Sequence, residues 1–433
     1  MQSKWWLKVW ALVGIVVLFT GGSLLWACGG DDDTEGENDQ PTSTKEVEEK
    51  VVTIGALVDM TGPTAGAQVP MYYAYRDYYK YVEEEDPIEG IKLNLITYDT
   101  QYDPGRIPQG YVDLKSRGAD VMHIITGSNA EGLRSRFQKD GIPFVGAKIT
   151  IKLIDADYYH STASLPEIEQ EKLFEYIVNG WDYDTMGRSP KLGFIGMAGN
   201  PWSVDPKDKL QELAESNEDK VDWAGAEMID RTQMTFANEA QNLKDCDYIV
   251  IQIAGPGGPA FIKEALTRGY EGDFAGSAEV FSGFWMLYED ALPSEWLDGL
   301  VMTTVKPSWS DDTPWVNKCE EYTEKYLSGA DLTTAKKQFT NRMDGWTMGQ
   351  ITAEAIRRAA EKVGPENVDS EAINEEIKNT YIEDSAFGIP LKYSEDIHAV
   401  FNATQIRQYD AQTEEWVPMS DWTIASFAEE MYE

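Results

Sequence analysis

The sequence is poor in the residues that most often carry out covalent and metal chemistry. Its 433 residues include three histidines, His123, His160 and His398, and three cysteines, Cys28, Cys246 and Cys319. No group of these has the spacing of a metal-ligand set. There is no Gly-x-Ser-x-Gly elbow, no His-Glu-x-x-His helix, and no serine, histidine and acid near one another, so neither a hydrolase nor any other enzyme is expected. Basic residues are also scarce. Lys and Arg number 37 against 75 Asp and Glu, a formal net charge of −38, which repels nucleic acid and anionic membrane surfaces and leaves no basis for a phosphate-backbone partner. No cofactor is expected. Beyond residue 27 the sequence holds no second apolar run long enough to span a bilayer.

Apolar material is plentiful elsewhere. The chain is 42% hydrophobic with 14 Trp and 22 Tyr, enough for a globular body of two domains and inconsistent with a disordered chain. The amino end carries Lys4 and Lys8, an apolar run from Val9 to Ala27, and then Cys28. This order resembles a bacterial lipoprotein signal, with Leu25, Ala27 and Cys28 matching and a bulky Trp26 departing from the pattern. Residues 1–27 would be the signal peptide and Cys28 the lipid attachment site. The alternative is an uncleaved transmembrane anchor, and either reading leaves the body outside the cytoplasm because the lysines stay within. Residues 28–50, rich in Asp and Glu and without an apolar period, read as a solvated acidic tether. Asp31, Asp33, Glu35 and Gly36 do not make a calcium loop, since Thr42 stands at position twelve where a bidentate Glu is needed. Cys246 and Cys319 fall in segments assigned to different domains or their junction, so two buried free thiols are expected.

The body alternates strand and helix. Apolar runs at Val51–Met60, Ile91–Tyr98, Val121–Ile125 and Pro143–Gly146 read as strands, with helices at Tyr72–Val82, Arg106–Arg117 and Leu133–Lys139 between them. The pattern restarts with a helix at Glu167–Asn179 and a strand at Lys191–Gly196. Next come a helix at Asp208–Ser216, strands at Asp247–Ala254, Phe274–Gly276 and Gly299–Thr304, and helices at Ala260–Arg268, Pro314–Leu327 and Thr340–Lys362. Without hairpin signals, such alternation means crossover connections and parallel sheets. Ligands of open α/β sheets sit beyond the carboxyl ends of the strands, so two halves facing each other would enclose a loop-lined cleft. In Asp120–Phe137 a short strand runs into Thr126, Gly127, Ser128 and Asn129 and then a helical segment. That loop is either an ordinary helix cap or a cradle for an anion on uncapped backbone N–H groups.

Five segments in order carry a resemblance: Ile54-Gly-Ala-Leu-Val-Asp-Met-Thr-Gly-Pro63, Tyr98-Asp-Thr-Gln-Tyr-Asp-Pro104, Gly141-Ile-Pro143, Gly299-Leu-Val-Met-Thr303, and Asp344-Gly-Trp346 with Ala353-Glu-Ala-Ile356. They are similar to the branched-chain amino acid (leucine/isoleucine/valine) binding proteins of ABC importers. The match runs from Val51 to about Pro418. The resemblance implies the type I periplasmic binding protein fold, an α/β protein of two Rossmann-like lobes with parallel sheets joined by a three-crossing hinge. Lobe 1 would comprise residues 51–163 and 304–385, and lobe 2 residues 164–303 and 386–418. Thr404–Tyr409 and Glu415–Pro418 would form a strand pair, and residues 419–433 a tail.

The same resemblance assigns a site. Ser128, with Asn129 beside it, falls where a ligand carboxylate is held, and Thr150 matches a second polar contact. Trp202, in Gly199-Asn-Pro-Trp-Ser203, stands at the aromatic that covers the substrate, the alternative being a loop Trp packed on a neighbouring helix. Glu279, in Gly276-Ser-Ala-Glu279, resembles the acid that neutralises an α-ammonium. Lys148 replaces a small residue and either pairs with an anion or stays solvated. Gly257, with Gly258, either lets backbone approach the ligand or simply makes a turn. The implied protein is a lipid-anchored, extracytoplasmic monomer that captures a branched-chain amino acid or a related amino acid or amide by hinge closure and delivers it to permease and ATPase subunits. A sensor ectodomain for amides, urea-like compounds or aromatic acids, working with a partner receptor, is the alternative.

Overall fold

The computed structural model describes residues 49–383, 385, 391–393, 398–399 and 403–424. The signal segment, Cys28, nearly all of the acidic tether and the tail beyond 424 lie outside the described residues. Among the described residues no helix is long and apolar enough to cross a membrane.

The first sheet is built on β1 (Lys50–Val58), buried without interruption from Val52 onward as a central parallel strand requires. It is flanked by β2 (Ile91–Asp99) and β3 (Val121–Ile124), both parallel to it. β4 (Phe144–Gly146) and β5 (Tyr159–Ser161) complete the order β2-β1-β3-β4-β5. The crossovers carry α1 (Ala65–Glu85), α2 (Ile107–Ser116), α3 (Gly127–Glu131) and α4 (Arg134–Asp140).

A second sheet follows α5 (Pro166–Gly180) and the single turn α6 (Tyr183–Met186). Its strands alternate with helices in the order β6 (Lys191–Met197), α7 (Pro201–Glu215), β7 (Asp222–Ile229), α8 (Ala237–Asn242), β8 (Tyr248–Gln252), α9 (Gly257–Thr267), β9 (Asp273–Ser277), α10 (Trp285–Ala291) and β10 (Val301–Thr304). All neighbours from β7 through β10 are parallel. Helices α11 (Pro314–Tyr326), α12 (Gly329–Lys337), α13 (Phe339–Val363) and α14 (Ser370–Lys378) then return to the first sheet's side, followed by the short pair β11 (Tyr381–Ile382) and β12 (Leu391–Lys392). The chain ends its described course on the second sheet. There β13 (Ala403–Asp410) and β14 (Glu415–Pro418) add antiparallel strands beside β10, and β15 (Thr423–Ile424) pairs with β13.

The chain thus passes between the two sheets three times: between β5 and α5, after β10, and between Ala399, bridged to Ser161, and β13. The two-lobed α/β fold expected from the alternation is the one observed.

The first lobe is locked by α1 against α13. Gly345 lets the helices touch, since a Cβ there would lie 2.0 Å from the Met71 carbonyl oxygen, and Gly349 fits against the Tyr78 ring. Trp346, fully buried, packs edge-on to Tyr78 at 5.0 Å between ring centres. Arg342 and Asp77 form a wholly buried ion pair at 3.0 Å on the same seam.

Several elements differ from the sequence expectation. β5 and β7 carry no long apolar run; β5 is three residues, and β7 is an edge strand with Gly225 at φ +111° and a register shift against β6. α7 begins at Pro201 instead of Asp208, because the Asn200 side chain caps it and proline is well suited to the first helical position. Pro206 inside this helix offers no N–H to the Trp202 carbonyl, and the Gln252 side-chain amide donates there instead at 3.1 Å. Gly257, Gly258 and Pro259 form the first turn of α9, not a loop before it. Cys246 and Cys319 are buried and unbonded as expected, and burial pushes each thiol up to about 11.

Candidate ligand-binding cleft

Seven strands, four from the first sheet and three from the second, end on one cavity. Thr64 follows β1, Tyr102 follows β2, Ile125 to Ser128 follow β3, and Lys148 to Thr150 follow β4. From the other side come Asn200 and Trp202 after β6, Ala254 after β8, and Glu279, Gly283 and Phe284 after β9. Gln68 and Met71 of α1 and Asn341 of α13 complete the wall. The cavity encloses about 120 Å³, room for on the order of ten water-sized positions.

Two of these loops are fixed from behind. The buried Asp59 carboxylate accepts hydrogen bonds from the Gly62 and Thr64 N–H groups and the Thr64 hydroxyl, and the Gln68 side chain accepts from the Asp59 N–H. The backbone of Lys148 is held by the Tyr159 hydroxyl, which donates to its carbonyl. Across the rim the Arg231 guanidinium, just after β7, lies over the Tyr102 ring at 4.3 Å. Gln101 and Tyr102 both adopt left-handed backbone, φ +52° and +53°, a strained arrangement for two adjacent non-glycine residues.

Behind the cavity sits a four-charge cluster drawn from both sheets. Lys148 Nζ lies 2.5 Å from Glu279 and 3.1 Å from Asp344; Lys306 Nζ lies 2.8 Å from Asp344 and 3.4 Å from Glu279. Asp344 and Lys306 are 0% and 1% exposed, Glu279 and Lys148 11% and 16%. Charges this buried persist only when paired, and two cations here meet two anions. Burial pushes the Glu279 carboxyl up, but Lys148 and Lys306 outweigh it and hold it far below the usual carboxylate range. Burial likewise depresses the Lys148 ammonium, and Asp344 and Glu279 more than reverse that. Glu169 of α5 lies next to the cluster, taking hydrogen bonds from Ser164 and Thr303 at 3.3 Å each. Burial, with Glu279 nearby, pushes its carboxyl up to about 8.

Of the residues singled out from the sequence, Ser128, Lys148, Thr150, Trp202 and Glu279 converge on this cavity. Asn129 and Gly257 are not among its lining residues. Ser128 sits in the first turn of α3, exposed to the cleft, while the Thr150 hydroxyl donates to Glu131 at 2.6 Å. Trp202 stands in the first turn of α7. Lys148 takes the first of its two open roles, pairing with anions, but those anions belong to the protein.

Sequence reasoning missed Lys306, Asp344 as a charged partner, Glu169, Tyr102, Asn200 and Phe284. A lysine directly after the apolar strand β10, at a crossing, was the signal available for Lys306. None of the three histidines lines the cavity: His123 is buried against the Tyr79 hydroxyl at 2.5 Å and the Val145 carbonyl, and His160 and His398 lie ring to ring at 4.9 Å. Among the described residues no cluster of His, Cys, Asp and Glu could hold a metal ion.

Comparison with known proteins settles the family. The family model described as "Periplasmic binding protein" matches residues 51–414. The chain belongs to the periplasmic binding protein family. No curated protein matches the sequence. Among solved structures, this binding protein is similar to a branched-chain amino acid ABC transporter protein from Thermus thermophilus with bound valine. The two share 19% identity over 89% of this chain and 99% of that one, with a TM-score of 0.76. A fatty acid ABC transporter substrate-binding protein from Thermomonospora curvata is 17% identical over 88% and 95% of the two chains, TM-score 0.73. An R. palustris solute-binding protein in complex with 4-hydroxybenzoate is 14% identical over 87% and 97%, TM-score 0.69. At these identities the likeness concerns the fold.

Proposed function

We propose that this binding protein captures a small organic solute of amino-acid size between its lobes, outside the cytoplasm, and presents it to the permease and ATPase subunits of an ABC importer. The observation that carries the reading is the convergence of loops from seven strand ends, on two separate sheets, onto one cavity. A ligand that touches both sheets favours their approach by its differential contacts, and that is all capture requires. Lobe 1 is residues 51–163 with 304–399, lobe 2 is residues 164–303 with 403–418, and Cys28 carries the lipid anchor. The third boundary falls beyond Ala399 and not at the expected 385, because Leu391 and Tyr393 pack in the first core and Ala399 bridges to Ser161. Ser128, Thr150 and Trp202 touch the solute, with Lys148 and Glu279 at the cavity's base.

Valine, a fatty acid and 4-hydroxybenzoate, the solutes named for the three similar structures, share a carboxylate on an apolar body. Met71, Ile125, Ile149, Met197, Trp202 and Phe284 give this cavity an apolar wall, and Ser128 and Thr126 a hydroxyl-bearing corner. A branched-chain amino acid, a related amide and an aromatic acid all fit that outline. A thermal-shift screen of the purified protein against amino acids, amides and small carboxylates tests the reading. A solute present at 100 times its Kd should stabilise the protein by about 2.7 kcal/mol. A screen in which no class raises the melting temperature refutes it.

A further inference from the structure

We propose that the solute carries no free ammonium group: the site is built for a small carboxylate with an apolar body, because Lys148 already occupies the place at Glu279 that a ligand amine would need. This rests on the capture reading above and narrows its substrate class.

Among the described residues lining the cavity, Glu279 is the one carboxylate and Lys148 the one cation. A ligand ammonium therefore has a single acid to find, and that acid already holds Lys148 at 2.5 Å and Lys306 at 3.4 Å. The second acid, Asp344, is wholly buried behind the lysines and does not line the cavity. Admitting an ammonium would crowd a third cation around one carboxylate or expel Lys148 from its place. Expulsion is opposed by the two contacts of the Lys148 ammonium, with Glu279 and with Asp344. The aromatic wall offers little substitute at Tyr102, whose ring already carries Arg231 at 4.3 Å.

A carboxylate meets the opposite situation. Ser128, an exposed residue, lines the cavity with Thr126 beside it, and the paired Lys148 stands at the base. The four-charge cluster sums to zero, so a carboxylate adds one negative charge to a neutral base without displacing any existing pair. Specificity then comes from a repulsion built into the protein against aminated competitors as much as from attraction to the acid.

Matched pairs test this directly. Isothermal titration of the full protein with leucine against 4-methylpentanoate, and with phenylalanine against 3-phenylpropanoate, compares molecules that differ chiefly by the ammonium. The desamino acid should bind at least about tenfold more tightly in whichever pair fits the cavity, a factor that is about 1.4 kcal/mol. Lys148→Met should reverse or erase that preference by leaving Glu279 with only the 3.4 Å contact to Lys306, and Lys148→Gln serves if the methionine variant does not fold. An amino acid that binds the wild-type protein more tightly than its desamino partner overturns the proposal. So does an unchanged preference in the Lys148 variant, or binding confined to solutes without a carboxylate. If no solute binds in this titration or in the broader screen, the capture reading itself fails.

Discussion

The cluster at the base of the cleft makes a quantitative prediction about what happens when its charge balance is disturbed. Lys306→Met removes a cation whose side chain is 1% exposed and leaves the fully buried Asp344 with Lys148 alone, at 3.1 Å. Breaking a buried pair by removing one partner costs about 3–5 kcal/mol, and the surviving Lys148 contact places this variant near the lower end, at about 3 kcal/mol. Asp344→Leu leaves two lysines facing Glu279 alone and should cost a similar amount. In the double variant one lysine again faces one acid, so the loss should stay near about 3 kcal/mol and fall well short of the ~6 kcal/mol sum, an interaction of about 3 kcal/mol in a double-mutant cycle. Urea unfolding followed by tryptophan fluorescence reads all four proteins. Costs that add to within about 0.5 kcal/mol would show that the lysine and the aspartate act independently, and the neutral cluster would then be a wrong description of this base.

Three further outcomes follow from separate parts of the molecule. Glu167 and Glu169 are raised by burial to about 7 and about 8, so their contribution to stability is present below the ordinary glutamate value of 4.5 and is lost as pH rises through 8. Buried His123 and His160, held at about 4 and about 3, act in the other sense and lose their contribution as pH falls below 6.5. Above pH 6.5 only the acids operate, so stability should decline between pH 6.5 and 8, and Glu169→Gln should flatten the decline in denaturation curves taken across that range. Gly345→Ala sets helix propensity, worth about 1 kcal/mol in favour of alanine, against a Cβ placed 2.0 Å from the Met71 carbonyl. The clash should win, with a net loss of about 2–3 kcal/mol by urea denaturation; a more stable variant would mean that α1 and α13 are not in such close contact. Arg231→Ala removes the contact over Tyr102 across the cleft, worth about 0.5–1 kcal/mol at an exposed site. It should weaken solute binding about two- to fivefold by calorimetry, with little change in melting temperature of the free protein.

The fold was legible where strands are central. β1, β3, β6 and β8 are buried on both faces, and a strand covered on both sides must be an apolar run, which stands out against the helical periods around it. β7 escaped notice because an edge strand is half exposed, and β5 because Tyr-His-Ser buries polar side chains that find partners far away in sequence, such as Asn374 for His160. Gly199-Asn-Pro reads as loop punctuation, yet the same residues cap and begin α7; local chemistry identified the boundary but not on which side the helix lay. The cleft was legible in part from loops after strands, as at Ser128, and otherwise through the resemblance to amino acid binding proteins, which pointed to Lys148, Thr150, Trp202 and Glu279; all five line one cavity. The pairing of Lys148 with Glu279 and of Lys306 with Asp344 joins residues 131 and 38 positions apart, and no local pattern carries that information. An acid at a strand end reads as a ligand site until the lysine that satisfies it is seen beside it.

Capture as proposed requires that the two lobes close on a solute held between them. Small-angle X-ray scattering of the protein, alone and titrated with the solute that gives the largest thermal shift, measures that closure. Closure should shrink the radius of gyration along the same saturation curve as calorimetric binding. Saturable binding with superimposable scattering curves at every solute concentration would contradict it.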